Sequence, residues 1–396
     1  MMERLRGAAA EIAAEMTAWR REFHAHPELS FEEVGTTRRV AELLRSFGYD
    51  NLKVGLGGVP TGVVADLGVG RAGWGVALRA DLDALPMEET ADRPYRSQKP
   101  GVMHSCGHDA HTAMLLGAAK ILKCLEPEIP GRVRFIFQPS EESPHRSGAR
   151  AMIAEGALEG MDAIAGIHVW SGLPSGVLGY RPGAAMASSD EWECVITGRG
   201  GHGAMPHEAV DPVVAASALV GMLQTVVSRR ISPLETAVVT VGKIEAGTTY
   251  NIIPEKAFLQ GTVRTFNPEV RRRMPEIMGR IVQGVAGASD CTAELTYRET
   301  LPSTVNDPVF TDLARRVGEE LLGSDRVRLV EPTMGAEDMS LYLERLPGAF
   351  LFLGVGNEAK GTTFPQHHPA YDIDEAVLPL GCAFLSSLAW RFLAGT

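Results

Sequence analysis

The sequence predicts an α/β protein built on a mixed, mostly parallel sheet and interrupted by a smaller α+β insert. Three observations carry that expectation. Strand-like and helix-like segments alternate through the first half of the chain, as a parallel sheet with crossover connections requires. From about Ser188 the order becomes strand, helix, strand, strand, helix, strand, which is the ferredoxin-like pattern. After about residue 300 the α/β order resumes. A chain of 396 residues is also long enough for two cores. The expected bounds are 1–187 with 300–396 for the main domain and 188–299 for the insert.

Apolar spacing and start and stop signals give the elements in order. Helices are expected over 8–24 and 33–47, then strands over 62–67 and 75–80. A helix over 108–125, a strand over 132–138, a helix over 147–155 and a strand over 162–168 extend the alternation. The insert reads as strand 191–197, helix 211–228, strands 237–246 and 256–266, helix 268–288 and strand 292–298. Helices over 308–322 and 337–344, a strand over 349–353 and a terminal helix over 375–392 complete the main domain. That last helix carries Pro379 and Arg391 and reads as too short and interrupted to span a bilayer, so no membrane partner is expected.

Composition narrows the function classes. Hydrophobic residues at 45% and charged residues at 22% place the chain in the globular range, which argues against disorder. A net charge of -11 argues against a nucleic-acid partner, because such binding needs clustered cations to displace counterions. The densest basic run, Arg271-Arg272-Arg273, falls in a predicted helix and reads as a solvated face. The five cysteines show no disulfide framework, and the N-terminus has no signal-peptide core, so a reducing, cytoplasmic setting is expected.

The chemistry concentrates in His104-Ser105-Cys106-Gly107-His108-Asp109-Ala110-His111. A single Cys-x-His pair is too short for a zinc finger and also suits a thiol nucleophile with its base. The metal reading gains from Glu141-Glu142 and His168, which follow apolar runs, because ligands of α/β enzymes gather beyond strand ends. His367 adds a ligand type near the C-terminus. Adjacent Glu141 and Glu142 point to opposite sides of an extended segment, which allows one to ligate and the other to take a proton. A solvated acidic loop is the plain alternative. Cys106 and His108 are candidate ligands, with Cys106 as a bridge, while His104, Asp109 and His111 are candidate orienting residues. His111 reads equally well as an ordinary helix histidine. Asp83, in Asp81-Leu82-Asp83 at a strand end, is a further orienting candidate.

In the insert, Gly198-Arg199-Gly200-Gly201-His202-Gly203 lacks the Lys-Ser/Thr ending of a phosphate loop and presents His202 instead. Asn251 and Arg264 lie beside strand-like runs. Arg264 suits a bidentate grip on a carboxylate or, equally, a structural ion pair.

These residues fall within an ordered series of motifs. It runs from Arg21-Glu22-Phe23-His24-Ala25-His26-Pro27-Glu28-Leu29-Ser30 through Cys106-Gly107-His108-Asp109 and Gln138-Pro139-Ser140-Glu141-Glu142 to His202-Gly203-Ala204-Met205-Pro206-His207. Asn251-Ile252-Ile253-Pro254, Gly335-Ala336-Glu337-Asp338 and His367-His368-Pro369 continue it. Over nearly its full length the chain resembles the di-metal amidohydrolases of the aminoacylase and carboxypeptidase superfamily. That group includes hippurate hydrolase, the plant indole-acetyl-amino-acid hydrolases and bacterial N-acyl-amino-acid hydrolases.

The resemblance implies a di-metal catalytic domain in which Cys106, His108, Glu142, His168 and His367 ligate two divalent ions of zinc, manganese, cobalt or nickel. It implies Glu141 as general base and the insert as a lid through which the chain forms a homodimer or a higher oligomer. His202 would then serve the partner's site, and Asn251 and Arg264 would bind substrate. Two departures stand out. Ser143-Pro144-His145-Arg146-Ser147-Gly148 lacks the family's glycine run, and Asp81-Leu82-Asp83 stands where the wider superfamily has His-x-Asp.

The expected activity is hydrolysis of an N-acyl amino acid, hippurate-like or with another acyl group. Rivals on the same site are a carboxypeptidase or dipeptidase and an N-acetyl-amino-acid deacetylase of the diaminopimelate kind. Rivals of another class are a cysteine-nucleophile hydrolase and a non-catalytic metal-binding module.

Overall fold

A computed structural model describes residues 1–55, 58 and 60–395. Two compact units result. The first comprises Met1–Ala185, Val305–Glu331 and Asp338–Thr396, and the second Met186–Thr304 and Pro332–Glu337.

The first unit is built on an eight-stranded sheet in the order Leu52–Val54, Val63–Leu67, Arg132–Gln138, Gly75–Asp81, Ala163–Pro174, Gly348–Gly356, Leu178–Tyr180, Val327–Leu329. Its centre is parallel: Gly75–Asp81 pairs in that sense with both Arg132–Gln138 and Ala163–Pro174, and Gly348–Gly356 with Ala163–Pro174. The antiparallel pairs lie toward the edges. Every residue of Gly75–Asp81 is buried, as a strand covered on both faces should be.

The register sets the site. Asp81 lies opposite Gln138, so the chain leaves both strands at one edge and delivers Asp83 and Glu141-Glu142 to the same place. Helices His108–Cys124 and Leu378–Ala394 pack on each other and on this sheet.

The structure corrects several expected bounds. Ile12 leaves helical geometry (φ -96°, ψ 10°) and splits the expected 8–24 helix into Met2–Glu11 and Ala13–Ala25. The strand expected to stop at His168 continues to Pro174, because Gly348–Gly356 pairs with it beyond that point. The terminal helical stretch, Glu375–Ala394, reaches 20 residues, so by length and composition it suits a membrane span, as does Pro212–Arg230. Here Leu378, Cys382, Phe384 and Leu388 of the terminal helix lie in the core.

The second unit is a four-stranded antiparallel sheet, Ala237–Ala246, Lys256–Thr265, Ser189–Thr197 and Thr292–Leu301 in that order, with helices Pro212–Thr225 and Pro268–Ala288 packed on it. Trp192, Cys194 and Ile196 alternate along Ser189–Thr197 to face the core. Asp211 and Asn267 cap the two helices by accepting backbone N–H groups of the first turn. Pro332–Glu337 joins this unit rather than the main one, because the Ala187 amide donates to the Thr333 and Gly335 carbonyls.

Candidate metal centre

The first unit brings together the side chains of Cys106, His108, Glu141, Glu142, His168 and His367. Cys106 Sγ lies 3.4 Å from His168 Nε2, and His367 Nε2 lies 3.4 Å from Glu142 Oε1. His108 Nε2 is 3.9 Å from Glu142 Oε1 and 4.0 Å from Glu141 Oε2. Three overlapping groups emerge, each with its donor atoms within 4.8 Å of one another: Cys106, His108 and His168; Cys106, Glu142 and His367; His108, Glu141 and Glu142. Cys106 belongs to two of them.

Local structure explains the convergence. Gly107 adopts φ 91° and caps helix His108–Cys124, so the chain turns sharply between Cys106 and His108. A Cβ on Gly107 would fall 2.2 Å from Val169 Cγ2, which leaves room for glycine alone. His367 also has a left-handed backbone, φ 64°, and its amide donates to the Ser105 carbonyl at 2.8 Å. That bond brings the C-terminal loop to the cysteine turn.

The tautomers follow from the partners. His108 Nδ1 donates to the Asp83 carbonyl at 2.8 Å and His168 Nδ1 to the Val169 carbonyl at 2.7 Å, so in each neutral ring Nε2 is the nitrogen that carries the lone pair toward the cluster. Among the described residues, buried His108 Nε2 and Glu142 Oε1 have no hydrogen-bond partner. Burial and neighbouring His111 hold His168 well below the ordinary imidazole pKa, hence neutral and able to ligate. At His108, burial disfavours charge, but Asp81, Cys106 and Asp83 outweigh it and raise the pKa well above the usual value. Neighbouring Cys106 and Glu142 raise His367 to about 10. The pocket thus calls for positive charge among thiol, imidazole and carboxylate donors, and divalent cations fit that donor set. Burial, then Glu142, pushes the Cys106 thiol up, the opposite of what a cysteine nucleophile needs.

Of the expected orienting residues, Asp83 touches the cluster most directly. Its carboxylate accepts the Glu141 and Glu142 amides at 3.0 Å each and the Ser30 hydroxyl at 2.7 Å. His111 donates from Nδ1 to Asp81 at 2.6 Å and accepts the Val169 amide at Nε2, 2.9 Å away. Both nitrogens are engaged, and His111 thereby ties Asp81 to the strand at His168. Asp109 meets Arg20 and His24, supporting the helix start rather than a ligand side chain. His104 is a correction: its ring nitrogens are buried and meet no polar partner among the described residues, so it orients nothing by hydrogen bonding.

The second unit holds the remaining candidates. His202 is exposed on the two-residue strand Gly201–His202, which pairs with Ile252–Ile253, and the Asn251 carbonyl accepts the Gly203 amide at 2.8 Å. Arg264 lies in Lys256–Thr265 with a buried Nη1 that has no partner among the described residues. Burial lowers its pKa although Asp190 and Glu191 act to raise it.

Sequence reasoning missed a buried polar group beneath the sheet edge. Arg79 donates to Asp81 at 2.7 Å, to Gln138 at 2.9 Å and to Asp338 at 2.8 Å. An arginine inside an otherwise apolar strand was the available signal. Glu33, buried and bonded to the Ser140 amide at 2.8 Å, was also missed.

Comparison with known proteins agrees with this geometry. The model of Peptidase family M20/M25/M40 matches residues 77–391. The chain is 41% identical over 393 residues to thermostable carboxypeptidase 2 of Saccharolobus solfataricus, covering 99% of each. It is 41% identical over 370 residues to N-acetylcysteine deacetylase of Bacillus subtilis, covering 93% of this chain and 94% of that one. Among solved structures it is similar to the Bacillus subtilis YXEP protein, described as a dinuclear metal binding peptidase from the M20 family. The TM-score is 0.86 at 36% identity, with 98% of this chain and 99% of that chain covered. The chain therefore belongs to Peptidase family M20/M25/M40 and is a metal-dependent hydrolase of amide bonds.

Proposed function

We propose that the chain hydrolyses N-acyl amino acids to a carboxylic acid and a free amino acid. Cys106, His108, Glu142, His168 and His367 would hold two divalent ions of zinc, manganese, cobalt or nickel. When bound, such ions acidify a water and polarise the acyl carbonyl. Glu141 takes the water proton as general base and returns it to the leaving amine. Arg264 or Asn251 holds the amino-acid carboxylate, and His202 donates to the oxyanion. The observation that carries this reading is Glu141 Oε2 4.0 Å from His108 Nε2, at the rim of the ligand cluster.

A carboxypeptidase reading is favoured by the relative of that name, identical at 41% of positions over nearly the whole chain. A deacetylase reading has equal support from the second relative. Purified protein assayed on N-benzoyl, N-acetyl and aminoacyl amino acids separates the three. The proposal expects the acyl amino acids to give the higher kcat/KM, and preference for free dipeptides would reject it. In the same assay Glu141→Ala should lower kcat by about 10²–10⁴-fold with metal content intact. Near-normal turnover in that variant would remove Glu141 as the base.

A further inference from the structure

Three consecutive amides carry the site's acidic pair, and each donates to a buried carboxylate. Ser140 donates to Glu33 Oε1 at 2.8 Å, Glu141 to Asp83 Oδ1 at 3.0 Å and Glu142 to Asp83 Oδ2 at 3.0 Å. Glu33 Oε1 also accepts the Phe31 amide at 2.9 Å. Glu33 is fully buried, which is costly for a carboxylate serving only backbone groups.

The two residues that Glu33 holds share an uncommon conformation. Phe31 has φ 63° and Ser140 φ 53°, the left-handed region that side chains with a Cβ rarely occupy. Such residues persist only where their surroundings over-determine them, and they gather at functional sites. The Ser140 carbonyl is tied as well, accepting the Gly148 amide at 3.0 Å. A Cβ on Gly148 would lie 1.7 Å from the Pro139 carbonyl oxygen, so the turn closes only with glycine there. The direction of the Glu141 side chain follows from the backbone angles at Ser140. Without the Glu33 acceptor, only the Gly148 bond and the Asp83 bonds to the next two amides would oppose a return of Ser140 to negative φ, which would rotate the next peptide and swing Glu141 away from the ligand cluster.

The geometry points to Glu33 as a positioning residue for the hydrolytic reaction: through the Ser140 amide it fixes the left-handed turn that aims Glu141. Asp83 fixes the two amides that follow. The inference rests on the reading of Glu141 as general base. Burial and nearby Asp83 raise the Glu33 pKa to about 7, and a carboxyl oxygen can accept the Ser140 amide whether or not the group is ionised.

The test compares Glu33→Ala, Glu33→Gln and Glu33→Asp with Glu141→Ala in the full-length protein. Glu33→Ala should lower kcat by about tenfold to a hundredfold, since a small misplacement of a reacting group is enough for that loss. KM and divalent metal per chain should stay within about threefold and at the wild-type level. Amide hydrogen exchange at residues 140–142, measured in metal-free as well as metal-loaded protein, should accelerate in that variant. Glu33→Gln keeps an acceptor of the same shape and should restore kcat to within about threefold. If Glu33→Ala does not fold, Glu33→Asp, which shortens the reach, should show the same kcat loss with unchanged KM. Wild-type kcat and exchange in Glu33→Ala or Glu33→Asp, or equal losses in the Ala and Gln variants, overturns the inference while an inactive Glu141→Ala keeps the base reading. An active Glu141→Ala overturns both.

Discussion

At the scale of single residues, the account rests on side chains whose surroundings fix their charge. Asp109 is completely buried between Arg20 Nε at 2.8 Å and His24 Nδ1 at 2.7 Å. Burial alone would raise its pKa, but Arg20 and His24 outweigh it and hold the carboxyl far below the usual range. The unfolded chain, with an Asp pKa of about 3.9, therefore binds more protons as the medium acidifies. The stabilisation from Asp109 is fully present above about pH 4 and is lost as pH falls below it. Asp109→Asn should cost about 3–5 kcal/mol at neutral pH by leaving Arg20 partly unpaired, and should flatten the acid limb of a melting-temperature profile. A variant with an unchanged acid limb would show that Asp109 does not carry it. The cysteine and histidine ligand candidates were legible in the sequence because such residue types rarely cluster beside buried strands without a task. Glu33 was not, since its partner is an amide 107 positions away and no spacing rule links them.

At the scale of elements, the cysteine turn and helix His108–Cys124 act as one piece. Gly107 joins two ligand candidates at φ 91°, with its missing Cβ 2.2 Å from Val169 Cγ2 and 2.9 Å from Tyr371 Oη. Gly107→Ala should therefore destabilise the protein by about 1–3 kcal/mol and reduce bound metal, read by denaturant unfolding and elemental analysis. Retention of full metal content and stability would contradict the described turn. The long helices and central strands were legible because the 3.6-residue period, caps and continuous apolar runs are local signals. Helix Pro268–Ala288 and strand Arg132–Gln138 have the expected bounds. Strands of only three residues, Leu52–Val54, Leu178–Tyr180 and Val327–Leu329, left no periodic trace, because pairing with distant neighbours makes them strands. The same holds for Arg79 and Asp338, which meet across 259 positions.

At the scale of the molecule, the inserted unit presents apolar residues without cover in the single chain. Val213, Val214 and Met222 on helix Pro212–Thr225 and Val238 and Ile244 on strand Ala237–Ala246 are exposed, and that strand is at the sheet edge. We propose a homodimer through this unit. Light scattering should return twice the chain mass, and Val214→Glu with Ile244→Lys should return the single mass; a monomeric wild type would reject the proposal. The central claim is that five distant side chains form one centre for two cations beside Glu141. Turnover of an N-acyl amino acid during metal titration of chelator-stripped protein tests it most directly. The account predicts no turnover in the stripped protein and recovery that levels off at two equivalents per chain. Full turnover without metal, or a plateau at one equivalent, would contradict it.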